Sequence, residues 1–197
     1  MSRKVIVAVV LVVVCVAIMD FVSESLVETS GPHARGHLAS AQGPFPLLPL
    51  LALMIWALPH KDRYYPLIWI AALVIVVGGV IDTIGNLQVI DAIGDAAWSD
   101  AQAERLGSAR PGFEEGHDLA GVGMSIITAG AIAFAAAIAL TRNVRPVTAL
   151  ASAALTFVFP AWIGPGFGLI VIVVALLRRK NRLERSNVKE APVALAA

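Results

Sequence analysis

Cysteine is almost missing from this chain, and charge is scarce. The single Cys15 excludes an intrachain disulfide framework, zinc-finger spacing and a CxxC redox centre. Only 15% of the residues are charged, against about 25% in an ordinary water-soluble domain, while 58% are apolar. A soluble protein so composed would lack the polar residues to cover its surface, so the composition points to the bilayer. Phosphate-cradling and nucleophile motifs are also missing: there is no Walker A sequence, and neither G-x-G-x-x-G nor G-x-S-x-G occurs in a suitable context. No folded basic face is expected, which argues against nucleic acid as a partner. No cofactor is implied.

What the chain does have is a series of long apolar runs with sorted charges between them. Arg3, Lys4, Lys61, Arg63, Arg142, Arg145 and the cluster from Arg178 onward lie in alternate segments; only Arg35, Arg105 and Arg110 fall in the others. A Lys/Arg excess marks the cytoplasmic face of a membrane protein. The acids show the reverse bias, with only Asp62, Glu184 and Glu190 on the basic side.

A bilayer core about 30 Å thick needs about 20 apolar residues in a helix. The hydrophobic runs and the charge rule together predict an all-α bundle of six transmembrane helices with both termini cytoplasmic. Its spans are 5–22, 45–58, 65–89, 117–140, 147–161 and 165–177, with outer loops 23–43 and 91–116. Residues 5–22 read as a retained signal-anchor helix, because no A-x-A cleavage site follows them. Pro44, Pro46 and Pro49 crowd the start of the second span, so that helix begins late or breaks there. Residues 147–177 are too long for one crossing, and two helices meeting in a Gly164-Pro165-Gly166 turn keep Arg178-Arg179-Lys180 on the cytoplasmic side. Asp95 to Leu106 can form a short helix stopped by Gly107. Residues 179–197 read as a basic, disordered tail. Compact size, Ala/Val richness and Arg in excess of Lys suggest a bacterial cytoplasmic membrane.

Ionisable residues inside a span mark functional candidates. Asp82 is the clearest. It shares a helical face with Gly78, Gly85 and Asn86, at spacings of one and two turns. In the next span His117, Gly121, Ser125 and Thr128 recur on a common face, with Asp118 beside His117. Asp20 and Glu24 end the first span towards the same side. These residues predict an outward-opening polar pocket with Asp82 deepest, able to exchange a proton or hold a cation or polar group. The competing account is that Asp82 and Asn86 only fix helix packing.

His33 and His37 stand at i, i+4, a spacing that shares a metal when helical. Gly31-Pro32 and Gly36 argue against a helix, and no H-E-x-x-H follows. A complete ligand set would require His117 and a carboxylate to arrive through the tertiary fold. No metal is therefore assigned, and His33 and His37 stand as weak candidates. Arg178, Arg179, Lys180 and Arg182 are placed to contact anionic lipid, or merely to flank the last span.

The sequence leaves three functional classes open. The first is binding or transport of a small molecule or ion with proton linkage. The second is an intramembrane enzyme acting on a lipid or isoprenoid through acid/base carboxylates. The third is a non-catalytic scaffold.

Overall fold

The computed structural model describes residues 32–58, 63–93, 100–107, 109–158 and 163–190. Among them are seven helices: α1 (Pro32–Gln42), α2 (Leu47–Ala57), α3 (Tyr65–Ile93), α4 (Asp100–Gly107), α5 (Phe113–Leu140), α6 (Pro146–Val158) and α7 (Ile163–Glu190). The chain is a helical polytopic membrane protein. The expected span 5–22 lies outside the described residues, as do Asp20 and Glu24.

The central element is the pair α3 and α5, packed along most of their length. Glycine makes that approach possible. Gly116, Gly123 and Gly130 recur every seven residues on α5, where Gly116 meets Gly85 of α3, Gly123 meets Gly78 and Asp82, and Gly130 meets Ile75. A Cβ on Gly85 would lie 2.4 Å from the Ala120 nitrogen, and one on Gly123 would lie 2.3 Å from the Asp82 nitrogen. Backbone therefore touches backbone, the arrangement small residues permit where lipid offers helices no hydrophobic drive to associate. Towards one end this seam closes over Ile68, Ile75, Ile127, Phe134 and Ile138, all buried. Towards the other it closes over Val89, Ile93 and Phe113.

Around this pair the helices present apolar side chains outward: Leu73, Val77, Val80, Ile84 and Leu87 on α3, Leu150 and Phe157 on α6, Ile170 and Val174 on α7. An exposed apolar surface of this extent is what lipid covers.

The six-span expectation is not met. Among the described residues three helical stretches are long and apolar enough to cross a membrane: Gly36–Trp56, Tyr65–Ile93 and Phe113–Leu140. The first of these begins inside the expected outer loop 23–43. It takes in α1 and α2 with the Pro44–Pro46 turn between them, where Phe45 N–H donates to Gln42 O and Leu47 N–H to Pro44 O. α6 has 13 residues, about 20 Å at 1.5 Å per residue, which is short of a bilayer core.

α6 and α7 pack as a hairpin. Thr156 and Phe157, at the far end of α6, lie beside Met124–Ala129 in the middle of α5, well short of Phe113. A hairpin returns Arg178 to the same end as Arg145 whether or not it crosses the bilayer, so charge could not decide between the two. α7 also continues as helix to Glu190 through the segment expected to be disordered. The short helix expected at Asp95–Leu106 occurs as α4, Asp100–Gly107.

The described basic segments share one end of the bundle. Arg142, Asn143 and Arg145 line a cavity of about 750 Å³ together with Arg178, Arg179 and Arg182. Arg63 and Tyr64 face Arg142 across a neighbouring one. The opposite end carries α4, the start of α1 and the polar start of α5.

Candidate functional site

The candidate site lies towards that opposite end, where α1 descends antiparallel to α3. His37 pairs with Asn86, the Thr83 hydroxyl donates to Ala41 O at 2.9 Å, and Pro44 packs on Gly79. Each step down α1 thus meets a step back along α3. Pro32 suits the first turn of α1, because its missing N–H would have no helical partner there. The helix that Gly36 seemed to weaken forms because its face towards α3 and α5 supplies these tertiary contacts, which local propensity does not count.

Asp82 is the deepest polar residue, 1% exposed, with Asn86 at 3%. Both lie on the predicted face with Gly78 and Gly85, pressed against α5. The Asn86 amide donates to the Asp82 backbone oxygen at 2.9 Å and to its carboxylate Oδ1 at 3.1 Å. The other carboxylate oxygen, Oδ2, is buried with no hydrogen-bond partner among the described residues. Because Nδ2 of Asn86 faces Asp82, its Oδ1 faces α1. His37 Nδ1 lies 2.8 Å from that oxygen, so Nδ1 carries the proton and donates it. The lone pair of His37 is then on Nε2.

His33 and His117 complete the site. The His37 ring centroid lies 4.7 Å from that of His33 and 4.6 Å from that of His117. One ligand nitrogen from each of the three imidazoles lies within 4.8 Å of the others. Three of the chain's four histidines therefore converge; the fourth, His60, lies outside the described residues. Phe113 backs the group, stacked on His33 at 6.0 Å and edge-on to His117 at 4.8 Å. Its place is fixed by Gly107, where a Cβ would come 2.6 Å from the ring. Gly112, just before α5, has φ of 83° and provides the left-handed turn that starts the helix. Arg110 caps the end of α3, donating to Ala92 O and Ile93 O at 2.9 and 3.0 Å.

The remaining expected residues stand apart. Ser125 is exposed, and its hydroxyl donates to Gly121 O of its own helix at 2.9 Å. Thr128 lines a shallow cavity with Ser125, Thr156 and Phe157, away from Asp82. Asp118 is exposed and is not among the converging ligand atoms. The face of α5 that meets Asp82 runs through Gly116, Ala120, Gly123 and Ile127, rotated from the His117–Gly121–Ser125 face read from sequence. The seven-residue glycine period was the signal that would have found it. Phe113 and the His37–Asn86 contact carried no local signal, since both arise from elements distant in sequence.

No known protein family, curated protein or solved structure matches the chain.

Proposed function

We propose that this membrane protein binds, and passes between the two faces, a small cation at the site formed by α1, α3 and α5. Asp82 provides the compensating negative charge and exchanges a proton as the cation comes and goes. The observation that carries the reading is the Asp82 carboxylate itself, enclosed between two helices with one oxygen tied to Asn86 and the other without a partner among the described residues. A carboxylate is costly to hold in such a place unless a positive charge or a proton accompanies it. Asn86 and His37 lead from it towards the exposed edge at His117. A structural carboxylate would be expected to have both oxygens satisfied.

The test uses the full chain in vesicles holding a pH-sensitive dye. An inward gradient of Na⁺, K⁺, Mg²⁺, Mn²⁺ or Zn²⁺ is imposed in turn. For the coupled cation the lumen turns alkaline with wild type, and Asp82→Asn abolishes this while its thermal unfolding stays near that of wild type. Equal flux through Asp82→Asn overturns the reading.

A second reading concerns the basic end, where acidic phospholipid headgroups fit the arginine-lined cavity. Arg142, Arg145, Arg178, Arg179 and Arg182 surround it, and among the described residues no acidic side chain lines it. Arg142 has φ of 55°, a left-handed conformation that glycine adopts at far less cost at a helix C-terminus. Arg179 is held by the Asn143 side-chain oxygen, and Lys180 lies 3.9 Å over the Trp56 ring. Basic residues at this level contribute about 1 kcal/mol each towards an anionic leaflet.

A further inference from the structure

We propose that His33, His37 and His117 bind a divalent transition-metal ion of the zinc class. The inference deepens the cation-site reading above, on which it rests, by naming the chemistry of the cation. Imidazole nitrogen suits zinc and its first-row neighbours, and hard cations such as Mg²⁺ prefer oxygen. Among the described residues the cluster holds three imidazoles from two separate helices and no carboxylate.

The geometry is near what a metal needs. Zinc–nitrogen bonds of about 2.0–2.1 Å in a tetrahedron set the nitrogens about 3.4 Å apart. The three ligand atoms lie within 4.8 Å of one another, so small ring rotations bring them onto one ion. His33 and His37 are one helical turn apart on α1, and His117 closes the triangle from α5.

A second observation is independent of that convergence. A metal-bound histidine almost always donates its other ring N–H to a carbonyl, carboxylate or water, which fixes the tautomer and raises the basicity of the ligating nitrogen. His37 does this: Nδ1–H goes to Asn86 Oδ1, and Asn86 is in turn oriented by the Asp82 carboxylate. In this arrangement Nε2 of His37 would be the ligating nitrogen, with the Asp82 carboxylate behind Asn86. Three protein ligands leave the fourth tetrahedral position for water or an exchanging group, the pattern of an open site rather than a closed structural one. His117 is exposed, so the ion has a route in from solvent.

The full chain, purified in detergent and stripped with chelator, is titrated with Zn²⁺ in competition with a chromogenic chelator. Wild type is expected to bind one Zn²⁺ per chain. His117→Ala and His37→Gln are each expected to weaken binding at least tenfold. Asn86→Ala, which reaches the metal site through His37, is expected to weaken it about 10–100-fold. Ser125→Ala, whose hydroxyl serves its own helix, is expected to bind as wild type. His117 is exposed, so its truncation spares the fold, and thermal unfolding of the stripped protein checks this. A wild type that binds no Zn²⁺, or unchanged affinity in both histidine variants, overturns the proposal. The two readings fail separately. Dye-reported flux with a monovalent cation but no Zn²⁺ binding overturns the metal site alone. Histidine-dependent Zn²⁺ binding with flux indifferent to Asp82→Asn overturns the role of Asp82 alone.

Discussion

His37 Nδ1 lies 2.8 Å from the side-chain oxygen of Asn86, and this contact joins the first described helix to the most deeply buried polar face of the bundle. Without it Asp82 would be an isolated packing residue and the histidines a surface group. With it they form one connected path from buried carboxylate to exposed imidazole.

Removing the middle of that path has a predictable cost. Asn86→Ala strips a partner from both the Asp82 carboxylate and the His37 N–H. Leaving a buried polar group unsatisfied costs about 1–3 kcal/mol. The variant should therefore unfold more readily than wild type in detergent, as followed by helical circular dichroism. Unchanged stability would mean that these groups find other partners.

Glycine substitutions separate the two faces of α5. Gly123→Ala and Gly85→Ala drive a methyl group onto backbone atoms of the facing helix and should cost about 1–3 kcal/mol, as overpacking does. Gly121→Ala meets nothing within 4 Å and should be neutral or stabilising by up to about 1 kcal/mol, through helix propensity alone. Equal effects in thermal unfolding would contradict the observed α3–α5 seam.

These glycines also explain how much could be read from the sequence. The buried Gly78–Asp82–Gly85–Asn86 face of α3 was legible, because helical periodicity places those residues together and their small or polar side chains set them apart from Val77, Ile84 and Leu87. The partner face on α5 was not. His117 and Ser125 drew attention by their polarity, while the seam uses Gly116, Gly123 and Gly130, which carry no chemistry. The histidine cluster was legible only in part: the i, i+4 spacing singled out His33 and His37 as weak candidates, but they reach His117 only after α1 has packed on α3, and no local spacing records that contact. The number of spans failed at α6–α7, where charge parity accepts a hairpin as readily as two crossings.

The two ends of the bundle should lie on opposite faces of the membrane. In a Cys15→Ser background, single cysteines at Arg63 and Arg145 should react with an impermeant maleimide only after the membrane is opened. One at Glu114 should react in intact cells, as the positive-inside tendency requires. Labelling of all three from the same side would contradict this arrangement.

Metal affinity should depend on pH in one direction. Only a neutral imidazole can ligate, and histidine ordinarily titrates near about 6.5. Affinity in the Zn²⁺ titration should therefore fall as the pH is lowered and protons compete for the ligand nitrogens. A flat profile would exclude histidine ligands.

At the basic end, Arg142→Gly relieves a left-handed residue and removes one cation from the cavity. The variant should gain about 0.5–1 kcal/mol in detergent. It should also lose part of the thermal stabilisation that phosphatidylglycerol confers over phosphatidylcholine. Equal stabilisation by the two lipids in wild type would reject an acidic-headgroup site there.

The central claim is that imidazoles from two helices meet on one cation, and X-ray absorption at the zinc edge of the loaded full-length protein tests it most directly. The account predicts a first shell of nitrogen and oxygen at about 2.0–2.1 Å with the multiple-scattering signature of three imidazoles. A shell of oxygen alone, or one holding a single imidazole, would contradict it.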